Sequence, residues 1–227
     1  DRTTDGIGRV ADLTAAEVRQ LALVDRQRPN LAPAKVPSLA EALGVLQGRA
    51  GLYLDFKSGD RGQVVRLLRR YQMVASTVVY DGREAMGHWK ELEPTLRTMT
   101  SPKPEDLSID ALATLKPRLQ IDLLDGPASA YTPALVREIQ LRGLPVWPDI
   151  QGPWENPRFW DQVVALQAAG YQTDRPADFI DFLRQRGQRD VLERDRGAII
   201  RGRPDRRHLA LVFTGHEYAE GRVDMDR

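Results

Sequence analysis

Apolar residues recur along this chain at two alternating spacings, one typical of helices and the other of short buried strands. Leu39, Ala42, Leu43 and Leu46 fall on one face of a helix. Residues 51–57 instead form a short apolar run that begins at glycine and ends in charge, which indicates a strand. Because the two patterns alternate along the chain, the sequence predicts parallel strands joined by helical crossovers.

Capping residues mark where the helices begin. Thr14 is followed three positions later by Glu17, and Ser38 by Glu41, which is the spacing of a capping box. The predicted helices cover residues 14–23, 38–46, 63–71, 83–92, 108–115, 132–142, 156–169 and 177–186. The predicted strands cover residues 51–57, 76–80, 95–100, 119–123, 143–147, 170–173 and 208–214.

The element order predicts an α/β fold of the TIM (β/α)8 type that is incomplete at its N-terminus. About six strands precede residue 175, whereas a closed barrel of this type needs eight. An open doubly wound sheet is the alternative, since it needs no closure. No Gly-x-Gly-x-x-Gly turn and no phosphate-binding loop follows a strand in the sequence, so nucleotide binding lacks its usual signal.

Composition narrows the classes of function. The 227 residues are 41% hydrophobic, and 33 basic and 32 acidic residues give a net charge of +1. This balance gives no electrostatic reason to expect nucleic acid or an anionic membrane surface as partner. The absence of cysteine excludes disulfides, thiol nucleophiles and cysteine-ligated zinc. No apolar run approaches the ~20 residues that an integral membrane segment requires.

The chain divides into three parts by composition. Residues 1–186 carry the alternating pattern and form the predicted partial barrel. Residues 187–207 are crowded with arginine and interspersed acidic residues, which favours a charged linker over a nucleic-acid-binding tail, because the charges cancel. Residues 208–227 restart with an apolar run, and we expect the start of a second domain or a tail there.

Asp55 and Lys57 are the leading candidates for chemistry. They lie two positions apart on a predicted strand, so both side chains point to one face while Phe56 points to the other. A carboxylate can hold a hard divalent cation, and a lysine can pair with a phosphate oxygen. The alternative is a strand end at which a solvated Asp and Lys neutralise each other.

Other residues carry weaker signals. Trp147 ends a predicted strand and either lines a pocket or packs in the rim of the barrel. Asp174 is interpreted as a turn or helix-entry residue. Asp122 and Asp125 are interpreted as loop residues, because neither has a partner at a fixed spacing; the alternative is that they add a second cluster of oxygen ligands. His88 lies within a predicted helix, where a surface or packing role is favoured over catalysis.

Several segments, taken in order, resemble the glycerophosphodiester phosphodiesterase family. Residues 36–43, Val-Pro-Ser-Leu-Ala-Glu-Ala-Leu, are similar to the family's "iPtLeevL" segment, and residues 173–176, Thr-Asp-Arg-Pro, to its closing "TDrP" turn. The strand at 52–57 stands where the family has a strand ending in Glu-Ile-Lys. The remaining similar segments are residues 1–10, 12–18 and 144–147. The resemblance spans about residues 1–186.

The resemblance implies a barrel whose site lies at the carboxyl ends of the strands. In that family a divalent cation is held by a Glu-x-Asp pair and by the Glu of Glu-Ile-Lys, and two histidines act as acid and base. This sequence begins just past the second histidine, so we interpret it as a fragment that lacks both histidines and two of the three carboxylates. Asp55 then corresponds to the remaining metal ligand, one methylene shorter than Glu, while Lys57 and Trp147 bind phosphate and substrate.

The implied function is a metal-dependent phosphodiester hydrolase, using Ca²⁺ or Mg²⁺, that releases glycerol phosphate and an alcohol. The expected partner is a small-molecule glycerophosphodiester, not a nucleic acid, and the fragment itself is expected to be inactive. A cell-envelope or secreted location is favoured over a cytoplasmic one. The alternative is a non-catalytic binding module of a multidomain protein. It could be linked to a polysaccharide-processing domain, because residues 209–217 resemble the first strand and metal motif of polysaccharide deacetylase-like domains.

Overall fold

The computed structural model describes residues 4–24, 34–186 and 211–214, the last of these by backbone alone. The helices are α1 (Ala15–Gln20), α2 (Leu39–Leu46), α3 (Arg61–Arg70), α4 (Met86–Leu92), α5 (Ile109–Leu119), α6 (Pro133–Leu141), α7 (Pro157–Val164) and α8 (Pro176–Gln185). The strands are β1 (Leu52–Asp55), β2 (Thr77–Tyr80), β3 (Arg97–Thr100), β4 (Leu123–Leu124) and β5 (Leu211–Thr214). Short 3-10 helices cover Val10–Asp12, Val74–Ser76, Arg83–Ala85, Pro104–Leu107 and Ala128–Ala130.

The predicted helix starts are confirmed by the capping geometry. At α1 the Thr14 hydroxyl accepts from the Glu17 amide at 3.3 Å while the Glu17 carboxylate accepts from the Thr14 amide at 2.7 Å. Ser38 and Glu41 form the same box at α2. Such reciprocal bonds satisfy amides that the first helical turn leaves without partners.

All strand pairs of the sheet are parallel, and β1 to β4 follow one another in chain order. The order continues past β4 as isolated parallel bridges, Leu124 with Val146 and Asp149 with Gln172. Six segments before residue 175 therefore pair in sequence order, as a barrel requires. The doubly wound alternative is not supported, since β1 to β4 show no reversal of strand order.

Two apolar layers flank the strands. The inner layer takes one residue from each segment in turn: Tyr53, Val78, Met99, Leu123 and Trp147. The outer layer is the larger core between strands and helices, and it includes the alternate residues Leu54, Phe56 and Val79. This alternation is the pattern of a packed barrel interior surrounded by helices. The fold is therefore an incomplete (β/α)8 barrel, as predicted.

The end of α5 differs from the predicted one. The helix was expected to stop at residue 115, before Pro117, but it continues to Leu119. Leu112, Leu115 and Leu119 recur at helical spacing and are buried, so their packing outweighs the backbone hydrogen bond that Pro117 cannot make. Gln120 ends the helix in a left-handed conformation with φ 54°. Strand β4 is consequently shorter and starts later than predicted.

Strand β5 pairs with the free edge of β1 in parallel register, from Leu52 with Leu211 to Asp55 with Thr214. The predicted strand at 208–214 is thus found at 211–214, as a fifth member of the same sheet. Residues 187–210 and 215–227 lie outside the described residues. The division into a linker and a second domain therefore stays a prediction. Within the described ranges, no helix is long and apolar enough to cross a membrane.

Candidate active site

The carboxyl ends of the parallel segments bring the candidate side chains to one end of the barrel, here called the mouth. Asp55 lies opposite Tyr80 in register, and Thr100 lies opposite Leu124. Leu124 in turn pairs with Val146, which precedes Trp147. Asp55 and Trp147 therefore lie at the same end of the sheet, as the barrel predicts.

Asp55 and Lys57 form an ion pair in the mouth. The Lys57 Nζ lies 2.7 Å from Asp55 Oδ1, and their side chains are 26% and 10% exposed. The ammonium also lies 5.3 Å from the centre of the Tyr80 ring. Among the described residues, none gives Asp55 Oδ1 a hydrogen bond of normal geometry, so the contact is chiefly electrostatic. The two charges neutralise each other, as the alternative interpretation expects, but the pair is largely enclosed and not solvated.

Tyr53 and Tyr80 line the mouth beside this pair. Their rings stack with centres 6.4 Å apart, and the Tyr80 hydroxyl lies 2.9 Å from Ser101 Oγ. Burial, and then the charges of Asp125 and Asp55, raise the pKa of Tyr53. Tyr53 therefore remains a neutral hydroxyl at physiological pH.

Asp125 lies in the mouth, although the interpretation favoured from the sequence made it a loop residue. It is not an ordinary loop residue: it follows β4 directly and is buried. Its Oδ2 accepts from Ser101 Oγ at 3.2 Å, and its Oδ1 accepts from Gln172 Nε2. Burial raises the pKa of Asp125, against the opposing effect of hydrogen bonds from Gly126, Gln172 and Ser101. The available signal was its position between a strand end and Gly126, which has φ 118°.

Trp147 carries a buried, unpaired donor in the inner layer of the barrel. The residue is 6% exposed and packs in the inner layer with Tyr53. Its Nε1 has no hydrogen-bond acceptor among the residues that the structure describes. Leaving a buried donor unsatisfied costs about 1–3 kcal/mol, so the indole N–H is suited to an acceptor atom of a ligand.

Glu155 fixes the turn between the segment at Gln172 and α8. It is buried and accepts from the Asp174 amide at 2.8 Å, from the Thr173 hydroxyl and from the Trp160 indole at 3.2 Å. Asp174 accepts from Gln151 Nε2 at 3.1 Å and immediately precedes Arg175, the N-cap residue of α8. This geometry agrees with the predicted turn role of Asp174.

Asp106 holds two loops of the mouth together. Its carboxylate, 2% exposed, accepts from Arg83 in the loop after β2 and from Arg118 Nη2 at 2.6 Å. It also accepts from the Lys103 amide at 2.8 Å. The Arg83 guanidinium is the main cause that holds the pKa of Asp106 well below its ordinary value, against the opposing effect of burial.

His88 and Asp122 lie away from the mouth. His88 is on α4 with a side chain 54% exposed, 3.4 Å from Glu91, which agrees with the predicted surface role. Asp122 precedes β4 and is paired with Lys90 at 2.6 Å. The two aspartates that flank β4 thus lie at opposite ends of the strand.

The mouth contains one of the carboxylates that a cation site needs. Ca²⁺ takes six to eight oxygen ligands, with carboxylates prominent among them. Asp55 fits one such position, because its buried Oδ1 receives no aligned hydrogen bond. Across residues 4–24, 34–186 and 211–214, however, no three His, Asp or Glu side chains are arranged to hold a metal. The described residues alone therefore do not complete a metal site.

Comparison with solved structures places this barrel among known folds. No protein-family model and no curated protein matches the chain. A glycerophosphodiester phosphodiesterase from Agrobacterium tumefaciens superposes with a TM-score of 0.66, at 23% identity over 80% of this chain and 77% of that one. A protein from Silicibacter pomeroyi, provisionally described as a glycerophosphoryl diester phosphodiesterase, superposes with a TM-score of 0.65 at 25% identity. The superposition covers 78% of this chain and 70% of that one.

A third solved structure carries a ligand. It is a phosphodiesterase from Oleispira antarctica in complex with its product sn-glycerol-3-phosphate. It has a TM-score of 0.62 and 18% identity, covering 81% of this chain and 75% of that one. The described part of the chain thus has the fold of glycerophosphodiester phosphodiesterases, and the resemblance inferred from the sequence is confirmed at the level of structure.

Proposed function

We propose that this chain is part of a phosphodiester hydrolase of the glycerophosphodiester phosphodiesterase family, which cleaves glycerophosphodiesters to glycerol phosphate and an alcohol. The observation that carries the proposal is the Asp55–Lys57 pair at the mouth of a barrel that resembles these enzymes. The complex of one such enzyme with sn-glycerol-3-phosphate supports a small-molecule phosphate ester as ligand. In the reaction, water adds to phosphorus, one P–O ester bond breaks, and the departing alkoxide takes up a proton.

Lys57 and Trp147 supply the groups that suit the phosphate. The Lys57 ammonium offsets negative charge on the phosphoryl oxygens, and the Trp147 N–H donates to one of them. Because Lys57 lies 2.7 Å from Asp55, a phosphate oxygen can approach it only by sharing or replacing that contact. The stacked rings of Tyr53 and Tyr80 lie beside the pair.

Asp55 is proposed as one ligand of a divalent cation, Ca²⁺ or Mg²⁺. Such a cation, when bound, polarises the phosphoryl oxygen and offsets the charge of the leaving group. Its remaining ligands, and the histidines that the family uses as acid and base, have no counterpart in this sequence. We therefore expect no turnover by the 227 residues alone, because hydrolysis of this kind relies on positioned acid and base groups.

Substitution of Asp55 in the full-length protein tests the proposal. Asp55→Ala should lower metal-dependent hydrolysis of glycerophosphocholine by at least about 100-fold, because the cation loses an anionic ligand. Asp55→Glu restores the longer arm of the family and should retain activity with an altered metal preference. Turnover is measured against Ca²⁺ and Mg²⁺ concentration, with circular dichroism as the folding control. Asp110→Ala, an exposed aspartate on α5, is the matched control and should behave as wild type.

A folded Asp55→Ala protein with full activity would refute the role of Asp55.

The second candidate function, a non-catalytic binding module, is favoured by the incomplete set of metal ligands in the described residues. It predicts that the full-length protein binds sn-glycerol-3-phosphate without hydrolysing any diester. The upstream gene sequence separates the two, because the enzyme needs His-Arg-Gly, Glu-x-Asp and His-Asp motifs there. A cell-envelope or secreted location stays a prediction.

A further inference from the structure

A buried ionic cluster lies behind β1, on the side of the sheet that faces the helices. Asp81 follows β2 directly and is buried. Its Oδ2 accepts from Arg61 Nε at 3.0 Å and from the Trp89 indole at 2.8 Å, and Arg61 Nη2 lies 2.9 Å from the same oxygen. Its Oδ1 accepts from the Gly82 amide at 2.6 Å. Both carboxylate oxygens therefore have donors, as the burial of a charge requires.

This cluster encloses the ring of Phe56. The buried Phe56 ring meets Trp89 edge-on, with ring centres 5.2 Å apart. The Arg61 guanidinium lies 4.9 Å from the centre of the Phe56 ring and 5.7 Å from that of Trp89. A planar guanidinium can pair with a carboxylate and stack on aromatic rings at the same time. Asp81, Arg61 and Trp89, here called the Phe56 clamp, thus hold this ring on two sides.

Phe56 stands between the two residues of the proposed site. Asp55 and Lys57 alternate with it, so they project toward the mouth while Phe56 packs in the outer layer. Strand β1 ends at Asp55, and the Phe56 amide still donates to the Tyr80 carbonyl at 2.9 Å. Lys57 lies in the loop that leads through Gly59, with φ 128°, to α3. Because Lys57 lies outside the strand, its position depends on how firmly the adjacent Phe56 is held.

We propose that Asp81 is a positioning residue of this site, acting through Arg61 and Phe56. The clamp holds residues 55–57 from behind, so that Asp55 and Lys57 keep one orientation toward a phosphate. This inference rests on the proposed function, because that function makes Lys57 a phosphate ligand. Stability alone would be served as well by apolar side chains of the same volume, since a buried ion pair often gains nothing over them.

The coupling between Asp55 and Lys57 reports on their positioning without any ligand. Urea unfolding of Asp55→Asn, Lys57→Met and the double variant gives this coupling in the full-length protein, first with Asp81 intact and then with Asp81→Asn added to each. A clamp that only stabilises the fold lowers all the free energies of unfolding alike and leaves the coupling unchanged. We expect Asp81→Asn instead to remove at least about half of the coupling.

Binding of sn-glycerol 3-phosphate to the full-length protein tests the consequence for the site. In calorimetric titrations with CaCl₂ present, Asp81→Asn should weaken binding about 10-fold, because a misplacement of about 1 Å can cost up to about 100-fold. Arg61→Lys keeps a charge beside Asp81 but loses the planar stacking on Phe56, so it should show the same loss. Arg61→Lys also carries the test if Asp81→Asn does not fold.

Asp122→Asn is the matched control. It also removes a carboxylate that is paired with a residue of α4, since Asp122 lies 2.6 Å from Lys90 Nζ, but it lies away from the mouth and from Phe56. This variant should lower stability and yet keep both the full coupling and the full affinity. Thermal unfolding of each variant confirms that it is folded.

The outcomes separate the two proposals. If wild type does not bind sn-glycerol 3-phosphate, the proposed function fails, and the positioning role with it. If wild type binds it but folded Asp81→Asn and Arg61→Lys proteins bind it equally well, the positioning role alone is overturned. An Asp55–Lys57 coupling that Asp81→Asn leaves unchanged also overturns it, because the clamp then serves the fold and not the site.

Discussion

The Asp55–Lys57 pair can be tested by a double-mutant cycle of Asp55→Asn, Lys57→Met and the two together. The charges lie 2.7 Å apart, and Asp55 is the more enclosed member. Coulomb's law with an effective dielectric constant of about 20 gives roughly 6 kcal/mol at this separation, before desolvation and side-chain ordering oppose it. Because Lys57 is about one quarter exposed, we expect a net coupling energy of about 1–2 kcal/mol.

The single variants should be unequal. Lys57→Met leaves the buried Asp55 carboxylate without its cation, and Oδ1 has no other hydrogen-bond partner in the described residues. We expect the free energy of unfolding of this variant to fall by about 3 kcal/mol, as when one member of a buried ion pair is removed. Asp55→Asn leaves the Lys57 ammonium without its counter-charge, but water can reach this more exposed group. We expect the free energy of unfolding to fall by about 1–2 kcal/mol. The double variant should lose less than the sum.

Urea unfolding followed by the fluorescence of the 4 tryptophans measures these free energies of unfolding. A Lys57→Met protein within 0.5 kcal/mol of wild type, the usual range for surface substitutions, would refute the buried-pair argument. Repeating the cycle in CaCl₂ adds a functional test on the full-length protein. If Asp55 holds a cation, Lys57→Met should gain more stability from Ca²⁺ than wild type does, because the competing ammonium is gone.

Two further predictions concern the fold around the site. Asp106→Asn should lower the free energy of unfolding by about 3–5 kcal/mol at neutral pH. Asp110→Asn, at an exposed position, should lower it by less than about 0.5 kcal/mol. Since the pKa of Asp106 is lowered in the fold, its contribution is present above the ordinary value of 3.8 and is lost as pH falls through the folded pKa. Urea unfolding at neutral and acidic pH measures the difference in free energy of unfolding between wild type and Asp106→Asn. A difference that does not change with pH would contradict the argument. In this cysteine-free chain, Leu52→Cys with Leu211→Cys should form a disulfide under mild oxidation, because parallel partners lie within disulfide reach. Thr77→Cys with Leu211→Cys, in the same register but one strand further apart, should not, and equal cross-linking of both pairs would show that β5 does not hold this register.

The elements that the sequence predicts well are those fixed by local chemistry. Thr14, Ser38 and their glutamates mark helix starts because a capping box closes within four residues. The predicted end of α5 is wrong, because the position at which this helix ends depends on packing. Pro117 disfavours a helix locally, but the buried leucines of α5 are satisfied only by neighbouring elements.

The site was only half predictable for a similar reason. Asp55 and Lys57 are two residues apart, so strand periodicity alone places them on one face. Asp125 finds its partners Ser101 and Gln172 at separations of 24 and 47 residues. No spacing rule connects such distances, and only the side-by-side packing of the parallel segments brings the three residues together. The same holds for β5, whose sequence predicts a strand but not that β1 is its partner.

The distribution of unsatisfied groups argues that the mouth is built for a ligand and not for stability. Trp147 carries a buried donor without an acceptor, and Asp55 has a buried oxygen without an aligned donor, again within the described residues. The unpaired Trp147 donor lowers stability by about 1–3 kcal/mol, whereas the Lys57 ammonium 2.7 Å away compensates in part for the burial of the Asp55 oxygen. Packing does not require either, since apolar side chains of similar size would fill the inner layer equally well. If the proposed phosphate ester binds there, it supplies the acceptor that Trp147 lacks and a second counter-charge for Lys57, so a donor that costs stability in the free protein strengthens binding of that ligand class.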